Sequence, residues 1–360
     1  MTMVDPDGKV GVGSGHVMTV LGPLPVARMG VTLVHEHILL DAATSWRRPC
    51  CAGHLALAER PVSVEFLGEL RMNPFLNRDN CVLSDVDAAI EELMAFADQG
   101  GATVIDPTNR GIGRDGPTLQ RISRRTGLNI VMGAGFYLER SHPDYFAAMS
   151  EDDIADQIVA DVGAGPDLPE VPAGLIGEIG VSKDFTAAEE KSLRGAAQAA
   201  RRSGVPLSIH LPGWERLAHR VLDVVEAVGA DLDHTILCHM NPSCADPAYQ
   251  KSLADRGAWL EYDMIGMDYY YADQDAQCPS DEDNARAIRA LIDDGYLRRL
   301  LISQDVFLKM MLTRHGGFGY GYILRHFVPR LRRHGVDRQA IDALLTGNPR
   351  RVFSADPDAD

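Results

Sequence analysis

Eight short apolar runs punctuate the chain, and amphipathic stretches with helical spacing lie between them. The runs are Val31–His35, Ala102–Asp106, Asn129–Gly133, Leu175–Ile179, Pro206–His210, Thr235–His239, Trp259–Asp263 and Leu300–Ser303. A strand covered on both faces has no solvent side to make polar, so such runs predict the buried strands of a parallel sheet. Between them, helices announce themselves by their caps. Ser84 and Asp87 stand at capping-box spacing; Ile90, Leu93, Met94 and Ala97 follow on one face, and Gly100-Gly101 end the helix. Thr186 and Glu189 open a helix whose buried stripe is Leu193, Ala196, Ala197 and Ala200, stopped by Gly204. Ser280 caps a third, with Ile288, Leu291 and Ile292, ended by Gly295.

Eight strand-helix alternations predict an α/β fold, a single-domain (β/α)8 TIM barrel. The rival is a doubly wound open sheet, which wants a glycine-rich phosphate turn. Gly111-Ile112-Gly113 lacks the third glycine and reads as a surface loop. The expected organisation is an N-terminal segment 1-20, a barrel 21-354 and a C-terminal tail 355-360. Residues 45-83 interrupt the alternation and are too long for an ordinary connection. They are expected to lie over the barrel mouth or to build a subunit contact.

Composition narrows the function. Apolar residues make up 45% and charged residues 24%, enough for a core and a soluble surface. A net charge of -16 repels phosphate backbones and anionic lipid, which argues against nucleic acid and membrane partners. No apolar stretch is long enough to span a bilayer. Met1–Gly15 lacks the charged-then-apolar pattern of a signal peptide, and the six scattered cysteines form no CxxC. Reduced thiols and a cytoplasmic location are the expectation.

The carboxyl ends of barrel strands are where such folds place their chemistry. His35 and His37 are two apart, so both imidazoles face one side, while Glu36 points away and reads as structural. His210 and His239 end the fifth and sixth runs. Each alone is more often a satisfied core histidine; together they mark three strand ends. Glu178 is a carboxylate in mid-strand, costly to bury unless it meets a basic partner or bridges two cations. Asp305 follows the eighth run and can hold an ion and accept a proton from bound water. Two divalent ions would lower the pKa of that water toward neutrality.

At these residues the chain resembles the phosphotriesterase family of the amidohydrolase superfamily, from about Gly22 to Phe353. The resemblance is carried by Gly22-Pro23, Thr32–His37, Leu175–Ser182, Gly316–Ile323 and Asn348–Arg351. It implies a binuclear centre, often zinc, with manganese, cobalt or iron as alternatives. It implies that His35, His37 and Asp305 hold the more buried ion, that His210 and His239 hold the more exposed one, and that residue 178 bridges both. Phosphotriesterases proper use a carboxylated lysine as the bridge; Glu178 is similar to the Glu-bearing, phosphotriesterase-related branch, and Lys183 lies beyond the strand. Gly133–Tyr137 and Leu260–Asp263 also resemble that branch, which is linked with hydrolysis of N-acetylated taurine. Trp214 departs from it, standing where the branch has a basic residue, and Met240–Ser243 differs as well.

The expected activity is attack of metal-activated hydroxide on a carboxylic amide, lactone or ester, with Asp305 accepting the proton. An organophosphate triester hydrolase, a mononuclear deaminase and a non-catalytic binding barrel are the alternatives. A small molecule is the expected partner, and the resemblance implies a homodimer. Tyr137, Trp214, Tyr269 and Arg325 are the candidate substrate contacts. Core packing competes for the aromatics, and a solvated or interface role competes for Arg325. The Gly316-Gly317 pair suggests a loop that can move.

Overall fold

A computed structural model describes residues 3–4, 10–11, 15–163, 165, 169–272 and 274–354. The 355-360 tail and much of the 1-20 segment lie outside the described residues. Eight parallel strands stand side by side in chain order. They are β1 (Val31–Leu33), β2 (Gly101–Asp106), β3 (Asn129–Ala134), β4 (Leu175–Gly180), β5 (Leu207–His210), β6 (Thr235–Leu237), β7 (Trp259–Tyr262) and β8 (Leu300–Ile302). Helices alternate with them: α1 (Val86–Ala97), α2 (Gly116–Thr126), α3 (Glu151–Asp161), α4 (Ala187–Ser203), α5 (Ala218–Val228), α6 (Pro247–Ala254), α7 (Asp281–Asp293) and, after β8, α8 (Val328–Arg333). The expected single-domain (β/α)8 barrel is what forms.

The seam between β1 and β8 closes just beyond the strands. Asp305 N–H donates to His35 O at 3.1 Å, and His37 N–H donates to Val306 O at 3.2 Å. Glu36 clamps the same seam. Its Oε1 accepts from Ser303 Oγ (2.8 Å), Gln304 N (3.0 Å) and Gln304 Nε2 (3.2 Å), and its Oε2 accepts from Val306 N (2.8 Å). A fully buried carboxylate is tolerated here because four donors converge on it.

The caps were read correctly in two helices of three. Thr186 and Glu189 form the reciprocal box that starts α4, and Ser280 accepts from Asp283 N–H to start α7. In α1 the cap is Asp85, which accepts from Ala88 N–H at 3.0 Å, and not Ser84. Leu83 pairs with Leu40 in a short antiparallel ladder, which keeps the chain extended until Asp85. The buried faces shift slightly too. Phe96 is buried in α1 where Met94 and Ala97 are half-buried, and Ala199 replaces Ala200 in α4. Gly111-Ile112-Gly113 is a surface loop as expected, with both glycines exposed, but its middle residue anchors it. Ile112 is buried, and its carbonyl accepts from Asp41 N–H at 2.9 Å.

The 45–83 segment packs at the carboxyl end of the barrel, against the loops after β7 and β8. Asn80 Oδ1 accepts from Met310 N–H at 2.8 Å, and Asp79 pairs with Lys309. Phe75 meets Tyr271 and Phe307, with ring centroids 5.9 and 6.2 Å apart.

Candidate metal centre

Glu178 sits at the middle of the mouth because β4 bulges. Its register against β5 shifts between Ile176 and Ile179. Gly177 adopts φ +135°, and a Cβ there would lie 2.3 Å from Ser208 O, so only glycine fits. The Glu178 backbone is then pinned: its N–H donates to Pro107 O at 3.0 Å, and its carbonyl accepts from Asn109 Nδ2 at 2.5 Å.

All four candidate histidines face that carboxylate. Oε2 lies 3.6 Å from His35 Nε2, 3.3 Å from His210 Nδ1 and 3.4 Å from His239 Nε2. Oε1 lies 3.5 Å from His37 Nε2. Asp305 Oδ1 approaches from the β8 side, 3.7 Å from His35 Nε2 and 3.4 Å from His37 Nε2. The six side chains expected to converge do so.

Two of them reach the mouth through unusual backbone. His239 has φ 59° and Asp305 has φ 47°, both left-handed. For a residue with a side chain this conformation costs on the order of 1 kcal/mol or more. It ends β6 and β8 earlier than the apolar runs suggest. The turns are held by backbone bonds: Met240 N–H donates to Glu261 O at 3.0 Å, and Asp305 N–H donates to His35 O.

Strand β7 supplies a support that sequence reasoning did not assign. Glu261 Oε2 accepts from His35 Nδ1 at 3.0 Å. Asp263 lies next to it, with Oδ2 3.3 Å from His35 Nδ1 and Oδ1 3.0 Å from His239 Nδ1. Its two oxygens also accept from the His239 N–H at 3.1 and 3.0 Å. On the other side, Thr108 Oγ1 lies 2.7 Å from His37 Nδ1. Carboxylates only accept, so His35 and His239 carry their proton on Nδ1 and aim Nε2 at Glu178. The available signal was an acid pair two residues apart in an otherwise apolar strand.

Electrostatics follow from this crowding. At His35, burial alone would favour the neutral ring, but Glu178, Asp305 and Glu261 outweigh it and raise the pKa well above 6.5. At His239 burial is likewise outweighed, chiefly by Asp263, and its pKa is also raised well above 6.5. Burial and the charge of His239 lower His210. Burial opposes ionisation of Glu178, yet His35 and the other histidines pull its carboxyl well below 4.5.

A divalent ion fits this donor set. His35 Nε2 is fully buried and has no hydrogen-bond partner. Its neighbours Glu178 Oε2 and Asp305 Oδ1 are too far for hydrogen bonds, at 3.6 and 3.7 Å. Two donors each about 2.1 Å from one tetrahedral ion lie about 3.4 Å apart, close to these separations. His35, His37 and Asp305 form one group with ligand atoms within 4.8 Å of one another, and His35, Glu178 and His239 form another.

The substrate candidates divide. Tyr137 is at the centre: its Oη lies 3.2 Å from His210 Nδ1, and the two rings meet edge to face at 4.9 Å. Burial and Glu178 hold its phenol well above 10, so it stays protonated. Trp214 is half-buried and packs on Tyr271 at 5.5 Å. Tyr269 is buried, and Arg325 is exposed on the helical turn Ile323–Phe327. Among the described residues, no hydrogen bond or ion pair links either of them to the four histidines. The Gly316–Ile323 block buttresses the centre instead. Tyr320 Oη donates to His37 O at 2.8 Å.

Comparison with known proteins adds three findings. The family model described as Phosphotriesterase family matches residues 15–353. An N-acetyltaurine hydrolase of Tetraodon nigroviridis is 35% identical over 94% of this chain and 97% of its own length, and that of Homo sapiens is 32% identical over 94% and 97%. Among solved structures, a Resiniferatoxin-binding protein from Rhodobacter sphaeroides superposes with TM-score 0.94 at 58% identity, covering 96% of this chain and 97% of its own. The phosphotriesterase homology protein of Escherichia coli, complexed with phosphate in its active site, superposes with TM-score 0.74 at 28% identity over 91% and 99%.

Proposed function

The chain belongs to the phosphotriesterase family of metal-dependent hydrolases, and from that premise we propose that it cleaves the amide bond of a small N-acyl amine at a binuclear centre. In this reading His35, His37 and Asp305 hold one ion, His210 and His239 hold the other, and Glu178 is shared. The observation that carries it is the Glu178 carboxylate, whose oxygens lie 3.3 to 3.6 Å from a nitrogen of every one of the four histidines. A glutamate at this hub also sets the chain apart from family members with a lysine bridge. The curated relatives that share most of its length act on N-acetyltaurine, an amide.

When bound, such ions lower the pKa of water and polarise a carbonyl oxygen. The protein's own residues do the rest. Tyr137 keeps its hydroxyl proton and offers it at the mouth, where negative charge builds on the attacked carbonyl oxygen. Asp305 is poised to take a proton and hand it to the departing amine. Burial raises the Asp305 pKa above its usual value, against the pull of His35. Glu261, Asp263 and Thr108 keep the ligand rings in one orientation.

The nitrogen and oxygen donor set supports zinc as the metal. Six free cysteines support a reducing compartment, and we assign the protein to the cytoplasm, as a homodimer by analogy with the family. No helix among the described residues is long and apolar enough to cross a membrane. The test is metal analysis on protein purified without chelator, paired with a screen of N-acyl amines, lactones and aryl esters. About two ions per chain, with turnover of an amide that Glu178→Ala abolishes, is the expected result. Fewer than one ion per chain, or hydrolysis indifferent to Glu178→Ala, would overturn it.

A further inference from the structure

Tyr137 lies beyond β3 in no helix or strand, so its place at the mouth is set by its neighbours. Two elements set it. On β4, Gly180 N–H donates to Phe136 O at 3.2 Å, and the strand passes so close that a Cβ at Gly180 would strike the Tyr137–Leu138 peptide. Beyond Tyr137 the chain doubles back through the turn Glu139–Ser141. Ser141 N–H and Oγ both donate to Leu138 O at 2.8 Å, and His142 N–H donates to Glu139 O at 3.0 Å. Glu189 Oε1 on α4 accepts from Glu139 N–H at 3.3 Å. The turn returns the His142 ring to the backbone it has just left, with Nε2 2.8 Å from Tyr137 O.

This contact has one direction. A carbonyl only accepts, so His142 Nε2 carries the proton. The other ring nitrogen, Nδ1, is buried and has no hydrogen-bond partner. Burial lowers the His142 pKa below 6.5, so near pH 7 the ring is neutral and has a single N–H to give. That donor is spent on Tyr137. The ring itself is caged: its centroid lies 3.9 Å from that of Phe146 and 6.0 Å from that of Phe136, both buried. Helix α4 secures the cage, since Lys191 Nζ donates to Phe146 O at 3.1 Å and lies 4.6 Å from the centre of the Phe146 ring. A buried acceptor left unmet costs on the order of 1 kcal/mol or more. A phenylalanine would fill the same cage without that cost. What the histidine adds is one donor aimed at the Tyr137 carbonyl.

We infer that His142 is a positioning residue for the reaction: by holding the Tyr137 carbonyl it keeps the phenol, whose Oη lies 3.2 Å from His210 Nδ1, at the reacting centre. The inference rests on the reading of Tyr137 as donor to the attacked oxygen and adds what keeps that donor in place. Such a donor helps only when aimed at the point where charge will develop, and a displacement of about 1 Å can cost on the order of 10²-fold in rate.

Kinetics of the zinc-loaded protein with N-acetyltaurine and with p-nitrophenyl acetate test it. His142→Phe keeps an aromatic ring in the cage and removes the donor. The expected result is a fall of about tenfold in kcat with KM and metal content unchanged, and partial recovery in His142→Gln, which retains an N–H. Combined with Tyr137→Phe, the substitution should cost nothing beyond Tyr137→Phe alone, because both act through the same hydroxyl. Where Tyr137→Phe is impaired, full kcat in His142→Phe, or losses that multiply in the double variant, would overturn the inference. A second readout does not depend on turnover. With 3-fluorotyrosine in place of Tyr137, the fluorine resonance should be single and sharp in the otherwise native protein and broadened or split when His142→Phe is added. Identical spectra would overturn the inference. Differing spectra with turnover indifferent to Tyr137→Phe would sustain the hold of His142 on Tyr137 and sink the donor reading of Tyr137 instead.

Discussion

Asp263 Oδ1 lies 3.0 Å from His239 Nδ1, and the opposite nitrogen of that ring, Nε2, lies 3.4 Å from the shared Glu178 carboxylate. The second Asp263 oxygen reaches His35 at 3.3 Å. One carboxylate just past the end of β7 therefore orients histidines assigned to both ions. Asp263→Asn keeps the shape, but an amide has one acceptor oxygen and cannot serve both rings. Metal affinity should fall about 10- to 100-fold. Competition with a chromophoric zinc chelator reads this directly. Unchanged affinity for both ions would mean that Asp263 is a bystander.

His35 and His239 bear protons well above 6.5 in the metal-free centre, because the surrounding carboxylates outweigh burial. An ion needs the neutral ring, so binding must expel those protons. Raised pKa values mean that the protonated form dominates at and somewhat above neutral pH. The apparent affinity should thus climb as pH rises from 6 upward, and loading should release protons. Calorimetry in two buffers of different ionisation enthalpy counts them. Heats that do not depend on the buffer at pH 7 would contradict this picture.

Glu36 is the keystone of the seam, accepting four hydrogen bonds from Ser303, Gln304 and Val306. Glu36→Ala would strand buried donors at the point where β8 turns into Asp305. Each stranded group costs roughly 1 to 3 kcal/mol, so a loss of about 3 kcal/mol or more is expected. Denaturant unfolding of the metal-depleted protein measures it without interference from bound ions. A loss below about 1 kcal/mol would show that the seam does not depend on this carboxylate.

The barrel was legible because parallel strands buried on both faces leave continuous apolar runs, and each of the eight runs became a strand. The six converging side chains were legible because they sit at the ends of those runs. What escaped notice was set by long-range geometry. Asp263 looked like the polar end of a strand until β6 turned His239 N–H and Nδ1 toward it. The early ends of β6 and β8 come from left-handed backbone at His239 and Asp305, where no glycine warns of it. In the run Tyr269–Tyr271, sequence could not decide which ring joins Phe75 and Trp214. The structure buries Tyr269 and packs Tyr271 against Trp214 at a tilt, with ring centroids 5.5 Å apart.

Phe75 comes from the 45–83 segment but packs on Tyr271 and Phe307 beside the centre. With these rings lining the acyl side of the pocket, Phe75→Ala should raise KM for long or aromatic acyl chains and leave acetyl substrates nearly unaffected. Loss of one half-buried ring from a contact is worth about 1 kcal/mol, or roughly fivefold in KM. A chain-length series on native and variant protein checks it. An equal effect on every chain length would place Phe75 in the fold rather than in the pocket.

Tyr137 is the one substrate candidate whose polar atom touches the centre, with Oη 3.2 Å from His210 Nδ1. Its pKa lies well above 10, since burial and Glu178 both disfavour the phenolate. At working pH it can only be a hydroxyl, a donor to charge developing on oxygen. Tyr137→Phe removes that donor and keeps the ring, whose edge-to-face contact with His210 preserves the packing. Removal of one such donor typically costs about 10² to 10³ in kcat, and a half-buried donor like this one belongs at the lower end. The expectation is therefore a fall of about 10²-fold in kcat, with KM and metal content nearly constant. A rise in KM at constant kcat would assign Tyr137 to ground-state binding, and a loss of metal would make it a support for His210.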